Sequence, residues 1–375
     1  MSYLGEHFKK LGFGLMRLPR LDDSTIDLEQ VKQMVDLFLS KGFTYFDTAW
    51  AYPGSEDAIR QALVERYPRD KFTIATKNAA WINCKTRDDA IAQFETSLKQ
   101  TGAGYFDFYL LHNLGEMRTH FFDDFKMWDF VADKKREGLI KHYGFSFHST
   151  PEELDDILTK HPDAEFVQLQ INWADWENPA IQSRGCYEVA RKHGKPIVIM
   201  EPIKGGTLTN LPDEVAKVFT DANPDASTAS WAIRFAASLD GIIAVLSGMS
   251  TLDQMKDNVS YMENFQRLTA DEQAIVERAR AELDKVPVIP CSSCRYCEHD
   301  ACKHNIGISG SFTAMNILTR YKNKAFADGQ YTWLVERHGK EYAGKCVKCG
   351  ACERVCPQHI SIRKELAKVA AAFGR

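Results

Sequence analysis

The amino-acid sequence predicts an α/β protein in which a (β/α)8 barrel is followed by a small, mostly helical domain. Strand-like and helix-like segments alternate eight times before about residue 260. The chain has 375 residues, whereas one such barrel typically needs roughly 250. Near residue 285 the composition changes, because a proline-rich stretch is followed by eight of the 10 cysteines. We therefore expect a barrel domain at residues 1–283 and a C-terminal domain at residues 284–375.

The barrel prediction depends on the order of the segments. The strand candidates are short apolar runs at residues 12–16, 43–47, 72–77, 106–112, 139–145, 165–171, 196–200 and 241–246. The helix candidates have apolar residues at helical spacing, at residues 28–39, 59–64, 86–98, 121–136, 151–159, 182–192 and 227–238, with a last helix beginning near Thr251. Strands separated by helices pair in parallel, and eight such units close a TIM barrel. An open doubly wound sheet is the alternative, but no Gly-x-Gly-x-x-Gly follows the first strand.

Composition and charge argue against several classes of function and against secretion. The formal net charge is −4, so there is no electrostatic case for binding nucleic acid or a membrane surface. The N-terminus lacks the basic start and apolar run of a signal peptide, and no stretch of about 18 apolar residues could span a bilayer. We therefore expect a cytoplasmic protein. In a reducing cytosol its cysteines are expected to bind metal or to act in catalysis rather than to form disulfides.

Eight cysteines form two sets with the spacing of cluster ligands. The second set, Cys346, Cys349, Cys352 and Cys356 followed by Pro357, has the Cys-x2-Cys-x2-Cys-x3-Cys-Pro spacing of bacterial [4Fe–4S] ferredoxins. The first set is Cys291, Cys294, Cys297 and Cys302, with four residues before its last cysteine and no proline after it. We expect two [4Fe–4S] clusters. Zinc is the alternative, but zinc sites use cysteine pairs and leave a third cysteine at the same interval unexplained.

The sharing of these cysteines can also be predicted. In two-cluster ferredoxins the fourth cysteine of each run binds the cluster of the other run. We therefore expect Cys356 to join the first three cysteines of the first set, and Cys302 to join those of the second set. The stretch at residues 303–345 has apolar residues at helical spacing, and it resembles the helical ferredoxin domains of respiratory dehydrogenases.

Four polar residues mark the ends of successive strands in the barrel domain. A short apolar run ends at Asp47, and the turn signal Pro53-Gly54 places Tyr52 on the loop above it. Lys77 and His112 end the next two strand candidates. Singly, these residues could be a helix cap, a surface lysine and a structural histidine. Together they lie where barrel enzymes carry their active sites.

These four residues, with Asp-Thr-Ala-x-x-Tyr intact at residues 47–52, resemble the Asp, Tyr, Lys, His tetrad of the aldo-keto reductases. The resemblance covers about residues 1–283. It implies an NAD(P)(H)-dependent oxidoreductase that interconverts a carbonyl and an alcohol, with Tyr52 as general acid and base. The Lys77 ammonium would lower the pKa of Tyr52, Asp47 would hold Lys77, and His112 would orient the substrate oxygen.

The resemblance also implies contacts to the nicotinamide cofactor. Ser146 and Gln168 align with residues that bind the carboxamide, and Lys204-Gly205-Gly206 aligns with the pyrophosphate loop. The positions that align with the adenosine-phosphate segment are Gly248, Ser250, Gln254 and Asn258. Gly248 and Gln254 stand where NADP-selective members often carry Lys and Arg, so the preference between NADP and NAD is open.

The whole arrangement looks like the iron-sulfur aldo/keto reductases of prokaryotes. This implies a small-molecule carbonyl or alcohol as substrate, and clusters that exchange electrons with a ferredoxin or another electron-transfer partner. Trp50, Trp81 and Trp173 fall near strand ends and are expected either to line an apolar substrate pocket or to pack in the core. The alternative function is an electron-transfer or redox-sensing module whose barrel binds a nucleotide but turns over little.

Overall fold

The computed structural model describes residues 2–22, 24–115, 117–179 and 181–375, apart from the side chain of Asp300. The chain divides into two compact units. The first comprises Met1–Ile203 and Ala229–Gln273, and the second comprises Lys204–Thr228 and Ala274–Arg375. No helix in the described ranges is both long enough and apolar enough to cross a membrane.

The first unit is a closed barrel of eight parallel strands, which confirms the predicted fold class. The strands are β1 Leu11–Gly14, β2 Tyr45–Asp47, β3 Thr73–Asn78, β4 Phe106–Leu114, β5 Ile140–Phe147, β6 Phe166–Gln170, β7 Ile197–Met200 and β8 Ile242–Ser247. Each strand pairs with the next along the chain, and β1 pairs with β8 to close the barrel. The predicted first strand was too long, because Leu15–Arg17 forms a 3-10 turn at the end of β1.

The helices lie where the apolar spacing predicted most of them. They are α1 Leu28–Ser40, α2 Ser55–Ile59, α3 Arg87–Thr101, α4 Thr119–Asp124, α5 Met127–Arg136, α6 Pro151–Lys160, α7 Ser183–Lys192, α8 Asp213–Ala222, α9 Thr228–Ala237, α10 Leu252–Met262, α11 Ala270–Asp284, α12 Ile308–Tyr321, α13 Lys324–Leu334, α14 Ala351–Val355 and α15 Ile362–Phe373. The single helix predicted at 121–136 is wrong. Lys126 has a left-handed backbone with φ 51°, which separates α4 from α5 and lets both Phe122 and Met127 be buried.

Side-chain caps begin several helices of the first unit. The Asp27 carboxylate accepts a hydrogen bond from Gln30 N at 3.1 Å at the start of α1. Thr86 and Asp89 form a reciprocal capping box at the start of α3. Thr251 accepts a hydrogen bond from Gln254 N at 3.2 Å at the start of α10. Each cap satisfies an amide that the helix itself cannot, so these boundaries follow from local sequence.

The barrel is filled by side chains and its strands approach closely. Its interior residues are Tyr45, Ala75, Phe108, Leu110, Phe166, Val198, Ile243, Ala244 and Leu246. A Cβ atom at Gly144 in β5 would lie 2.1 Å from the carbonyl oxygen of Phe166, so this position admits only glycine without a backbone shift. The close approach of β5 and β6 places Ser146 directly opposite Gln168 in the register of the sheet.

The second unit is helical and contains all eight cysteines of the two sets. Helix α12 packs against α13 and α15, with Phe312, Tyr331 and Val369 buried in the interior of the unit. The chain before the first cysteine is tied to α12, because the Asn316 side-chain amide makes two 2.8 Å hydrogen bonds with the backbone of Ile289. The small, mostly helical C-terminal region predicted from the sequence is therefore confirmed.

Candidate active site and cluster sites

The four tetrad residues meet at the carboxyl end of the barrel. Asp47 is the last residue of β2, and Lys77 and His112 lie near the ends of β3 and β4. Trp50 N donates to the Lys77 carbonyl oxygen at 3.2 Å, and Tyr52 N donates to the Ala49 carbonyl oxygen at 2.9 Å. These backbone bonds turn the loop after β2 back over β3. The loop therefore carries Tyr52 above Lys77.

Lys77 is the centre of this group and is fully buried. Its Nζ lies 2.5 Å from Asp47 Oδ1, donates to the Thr48 carbonyl oxygen at 2.7 Å, and lies 5.1 Å from the centroid of the Tyr52 ring. The Tyr52 and His112 rings meet edge to face, with centroids 5.8 Å apart. A buried ammonium between a carboxylate and a phenol is held in one position, because leaving the carboxylate would leave a buried charge unpaired.

The protonation states follow from burial and from these neighbours. Burial alone would lower the pKa of Lys77, but Asp47 and Tyr52 outweigh it and the pKa is raised, so Lys77 is an ammonium at neutral pH. Burial raises the pKa of Tyr52 above 10, while the Lys77 ammonium opposes this rise. Lys77 thus lowers the pKa of Tyr52, as the resemblance implies, but by less than burial raises it. Tyr52 keeps its proton at neutral pH.

His112 is neutral and is positioned by Trp81. Burial, the Lys77 ammonium and the neighbouring His148 and Arg118 lower the pKa of His112 well below 6.5. The indole nitrogen of Trp81 donates to the His112 carbonyl oxygen at 2.9 Å, and the two rings lie 6.3 Å apart. His112 Nδ1 is buried and has no hydrogen-bond partner among the described residues. A neutral imidazole beside a phenol can donate a hydrogen bond to a carbonyl oxygen without competing for the phenol's proton.

The predicted carboxamide contacts adjoin the tetrad. Ser146 and Gln168 are both buried, and Gln168 Oε1 has no hydrogen-bond partner among the described residues. Asn113, which the sequence analysis missed, donates from its backbone N to Ser146 Oγ at 2.7 Å, and its own buried Oδ1 is also without a partner there. Its signal was its place directly after His112 in the same strand. Buried acceptors of this kind fit a ligand that brings amide donors, as a nicotinamide carboxamide does.

The adenosine-phosphate positions are largely engaged within the protein. Gln254 Oε1 accepts from Ser250 N at 2.7 Å, and the Ser250 hydroxyl donates to the Arg17 carbonyl oxygen at 2.8 Å. Asn258 is buried between Ser247 and Tyr261, at 2.7 Å and 2.6 Å. These hydrogen bonds shape the loop after β8. The loop itself, residues 248–251, contains no charged residue.

One cation near this loop escaped the sequence analysis. Arg17 is exposed, and its Cβ lies 3.9 Å from where a Cβ atom on Gly248 would be. Its charge also lowers the pKa of Tyr52, although less than burial raises it. The signal was its position three residues after β1, at the same end of the barrel as the tetrad. Lys256, by contrast, pairs with Asp253 at 3.1 Å.

The predicted pyrophosphate loop belongs to the second unit. Lys204, Gly205 and Gly206 all have positive φ, and a Cβ atom at Gly205 would lie 2.4 Å from the Phe326 ring of the same unit. Glycine is required there by this close approach. The assignment of Lys204 and Gly205 to cofactor binding stays a prediction.

The three tryptophans have different environments. Trp173 is fully buried, which fits the core role rather than a pocket wall. Trp50 and Trp81 are half-buried, and Trp81 contacts His112. Of the two cysteines outside the sets, Cys84 accepts a hydrogen bond from Gln93 and Cys186 is buried on α7.

The eight remaining cysteines line two small cavities. One cavity is lined by Cys291, Cys294, Cys297 and Cys356. The other is lined by Cys302, Cys346, Cys349 and Cys352. The structure thus brings the fourth cysteine of each set to the first three of the other set. This is the exchange expected of a two-cluster ferredoxin.

Each cavity is lined by four cysteines, which is the number of ligands that a [4Fe–4S] cluster takes. Among the described residues, no three His, Cys, Asp or Glu side chains converge closely enough to bind one metal ion. Tetrahedral zinc would require four ligands within about 2.3 Å of one point. Four cysteines around a cavity instead fit a group with several irons.

This chain belongs to the aldo/keto reductase family, whose model matches residues 10–281, and it is an oxidoreductase of that class. A second model, the 4Fe-4S dicluster domain, matches residues 290–360. The resemblance proposed from the tetrad and from the cysteine spacing is therefore confirmed.

Relatives and solved structures agree with the family assignment. An aldo-keto reductase of Mycolicibacterium smegmatis is 27% identical over 54% of this chain and 67% of its own length. A probable aldo-keto reductase of Glycine max is 26% identical over 54% of this chain and 58% of its own. The holo form of a Bacillus halodurans aldo-keto reductase has a TM-score of 0.57 at 23% identity, with 72% of this chain and 91% of that chain covered. A Klebsiella pneumoniae aldo/keto reductase in complex with NADP and acetate has a TM-score of 0.58 at 18% identity, with 72% and 90% covered. At these identities the structural likeness shows the fold alone.

Proposed function

We propose that the protein interconverts a carbonyl and an alcohol with a nicotinamide cofactor, and that two [4Fe–4S] clusters exchange single electrons with this reaction. The observation that carries the proposal is the buried group of Asp47, Lys77, Tyr52 and His112. It supplies a proton donor, a fixed cation and a neutral imidazole around one point. The cofactor, when bound, supplies or accepts the hydride.

Each residue has a distinct task in carbonyl reduction. The neutral His112 imidazole donates a hydrogen bond to the substrate oxygen and orients it toward Tyr52. Tyr52 then transfers its proton to that oxygen as negative charge develops there. Lys77 stabilises the resulting phenolate, and Asp47 keeps Lys77 in place by a direct ion pair. In alcohol oxidation the same residues act in reverse, beginning from a deprotonated Tyr52.

The nicotinamide fits residues of the first unit. Gln168 Oε1 and Asn113 Oδ1 are buried acceptors beside Ser146, and a carboxamide would supply the missing donors. Two related Klebsiella pneumoniae structures are complexes with NADPH and with NADP plus acetate, which supports a nicotinamide cofactor for this chain. For the adenosine end we propose contacts to Gly248, Ser250, Gln254 and Asn258, although Gln254 and Asn258 act mainly by shaping the loop.

The clusters fit the second unit. We assign Cys291, Cys294, Cys297 and Cys356 to one cluster, and Cys302, Cys346, Cys349 and Cys352 to the other. Four thiolates around each cavity match the ligand set of a [4Fe–4S] cluster, which passes one electron at a time. A hydride carries two electrons, so two one-electron centres would balance one hydride.

Anaerobic mixing of the purified holoprotein with NADPH or NADH tests the coupling. We expect the absorbance of the reduced nicotinamide to fall while the visible cluster absorbance bleaches, with two clusters reduced per nicotinamide oxidised. The Tyr52→Phe variant is the matched control. Reduction of the clusters would take two electrons from the nicotinamide, one for each cluster, and release one proton to solvent, so it needs no proton from Tyr52. If the nicotinamide is oxidised only when a carbonyl is added, and the clusters never bleach, the carbonyl reductase proposal would stand. The proposed coupling to the clusters would then be wrong.

A second candidate function is an electron-transfer or redox-sensing module whose barrel binds a nucleotide but turns over little. It is favoured by one observation, namely that the loop after β8 has no charge of its own at Gly248 or Gln254. Turnover of a panel of aldehydes and ketones separates the two functions. Nucleotide binding without measurable reduction of any carbonyl would favour the module.

The same loop predicts little discrimination between the two nicotinamide dinucleotides. Because Gly248 and Gln254 offer no charge to a 2′-phosphate, we expect the Kd values for NADH and NADPH to lie within about tenfold, or about 1.4 kcal/mol. Fluorescence titration of the holoprotein measures both constants. A larger preference for NADPH would contradict this prediction, and Arg17→Gln and Lys256→Gln would then show which cation holds the phosphate.

A further inference from the structure

The region that carries the cysteines is basic, in contrast to the rest of the chain. Residues 291–375 contain 14 Lys and Arg but only 7 Asp and Glu, whereas the whole chain contains 47 and 51. The formal net charge of this region is therefore +7, against −4 for the whole protein. Cluster-bound thiolates would offset part of the positive charge locally. Four of the basic residues that lie close to the cysteines in sequence are exposed, namely Lys303, Lys345, Lys348 and Arg354.

The charge and the apolar exposure coincide in one segment, residues 345–355, which we call the cluster-edge segment. Lys345, Lys348 and Arg354 are exposed, and their side chains form no ion pair within the part of the chain that the structure describes. Its one acidic residue, Glu353, is occupied by Arg363 at 2.8 Å. The positive charge of the segment is thus directed to solvent.

Large apolar side chains accompany these charges. Val347 is 56% exposed and Val355 is 38% exposed. Together with Tyr296 they are half of the six large hydrophobic residues that are strongly exposed in the described ranges, and all three lie inside the cysteine sets. Exposed apolar side chains rimmed by charge are typical of protein interaction sites.

A cluster ligand reaches the surface in the same segment. Cys349 is exposed between Lys348 and Gly350, and it lines the cavity of Cys302, Cys346 and Cys352. If that cavity holds a cluster, as proposed above, its edge is accessible to a partner at the cluster-edge segment. The cluster-edge segment therefore has positive charge that can attract an acidic partner, apolar side chains that can contact it, and a cluster ligand through which an electron can pass.

We propose that the cluster-edge segment is the docking surface for an acidic one-electron carrier protein. The inference rests on the proposed cluster, but not on nicotinamide turnover. The step moves one electron, so the carrier's reduced centre loses it and the cluster gains it, or the reverse, and no proton or bond is exchanged. Electron-transfer encounters use small interfaces and are assembled by electrostatic attraction, which a basic segment with a few apolar side chains provides.

Stopped-flow mixing of the holoprotein with an acidic plant-type [2Fe–2S] ferredoxin tests the proposal. In one experiment reduced ferredoxin is mixed with the protein in its oxidised form, and in the other oxidised ferredoxin is mixed with the protein in its reduced form. Electron transfer should be favourable in one of the two experiments, whichever centre has the lower reduction potential. The charge-reversal variant Lys345→Glu/Lys348→Glu should lower the second-order rate constant about tenfold at low salt. The matched control Lys217→Glu/Lys322→Glu makes the same charge change elsewhere in the second unit and should lower it less than about twofold.

Salt dependence gives an independent readout on the wild-type protein. Between about 0.01 M and about 1 M salt the Debye length shrinks from about 30 Å to about 3 Å, so the rate constant should fall steeply. Basic cytochrome c, mixed in the same way, should react faster as salt rises. Equal effects of the two double variants, or a wild-type rate that is flat or rising with salt, would overturn the proposal. If the first variant loses iron, the salt dependence decides alone. Since no nicotinamide is present, failure of the coupling to the barrel would not affect either result.

Discussion

Replacing Tyr52 by phenylalanine should lower kcat for carbonyl reduction by about 10²–10⁴-fold, because the change removes the proton donor and little else. This loss corresponds to about 3–5 kcal/mol of transition-state stabilisation. Phenylalanine keeps the ring that contacts His112 edge to face. The Kd of the nicotinamide should change little, since the hydroxyl is proposed to act on the substrate. Steady-state kinetics with a reducible aldehyde, and fluorescence titration with NADPH, measure the two quantities.

A second tyrosine provides the control. Tyr45 is also buried in the barrel, and its hydroxyl has no hydrogen-bond partner among the described residues. Tyr45→Phe removes an unpaired hydroxyl and should leave turnover within about twofold, with unchanged or slightly higher stability. If Tyr52→Phe kept more than about a tenth of wild-type turnover, Tyr52 would not be the general acid.

The direction of the Tyr52 pKa gives the same assignment a pH signature. Burial raises this pKa above 10, so the proton needed for reduction is present throughout the neutral range. Reduction should therefore show no loss from Tyr52 deprotonation below about pH 10. Alcohol oxidation needs the deprotonated form, so its rate should rise with pH over the same range. Neither dependence should remain in Tyr52→Phe.

Replacing Cys356 by serine should disturb the cluster held by Cys291, Cys294 and Cys297, not the cluster of its own sequence set. The cavity that Cys356 lines is the one lined by those three cysteines. We expect the iron content to fall from about eight per chain, with conversion or loss of one of the two clusters. Because the exchange links the two sets through iron, chelation of iron should also unfold the second unit as one body.

Reference variants make the assignment of the disturbed cluster unambiguous. Cys294 and Cys349 are the exposed ligands of the two proposed sites, so Cys294→Ser and Cys349→Ser provide an electron paramagnetic resonance spectrum for damage to each. The spectrum of reduced Cys356→Ser should match Cys294→Ser, and that of Cys302→Ser should match Cys349→Ser. Cys84→Ser, outside both sets, should match the wild type. The opposite matching would show that each set binds its own cluster.

The fold was predictable because its signals are local and repeated. Each strand is a short apolar run, each following helix has apolar residues at helical spacing, and caps such as Thr86 and Thr251 mark the starts. The error at residues 121–136 has a physical cause. The spacing of apolar residues does not reveal a single residue with a left-handed backbone. Lys126 is such a residue, and it ends the helical backbone between two segments that are both amphipathic.

The sequence predicted which residues form the candidate site better than it predicted their pKa values. Asp47, Lys77 and His112 lie at or near the carboxyl ends of successive parallel strands, and these ends meet at one edge of a barrel. The net pKa of Tyr52 was not predictable in this way. It depends on whether desolvation or the Lys77 ammonium prevails, and burial is a property of the folded protein.

The sequence by itself determined the residue types, their order and the spacing of the eight cysteines, because these are covalent properties of the chain. Barrel closure and the two four-cysteine groups follow from that order by general rules of strand pairing and cluster ligation. Only the tertiary structure decided which side chains are already engaged, such as Gln254 with Ser250 and Asn258 with Tyr261. It also brought Arg17 beside Gly248, 231 positions away in the chain but across the β1–β8 seam. Contacts between distant segments depend on how the barrel closes, so a local sequence pattern does not predict them.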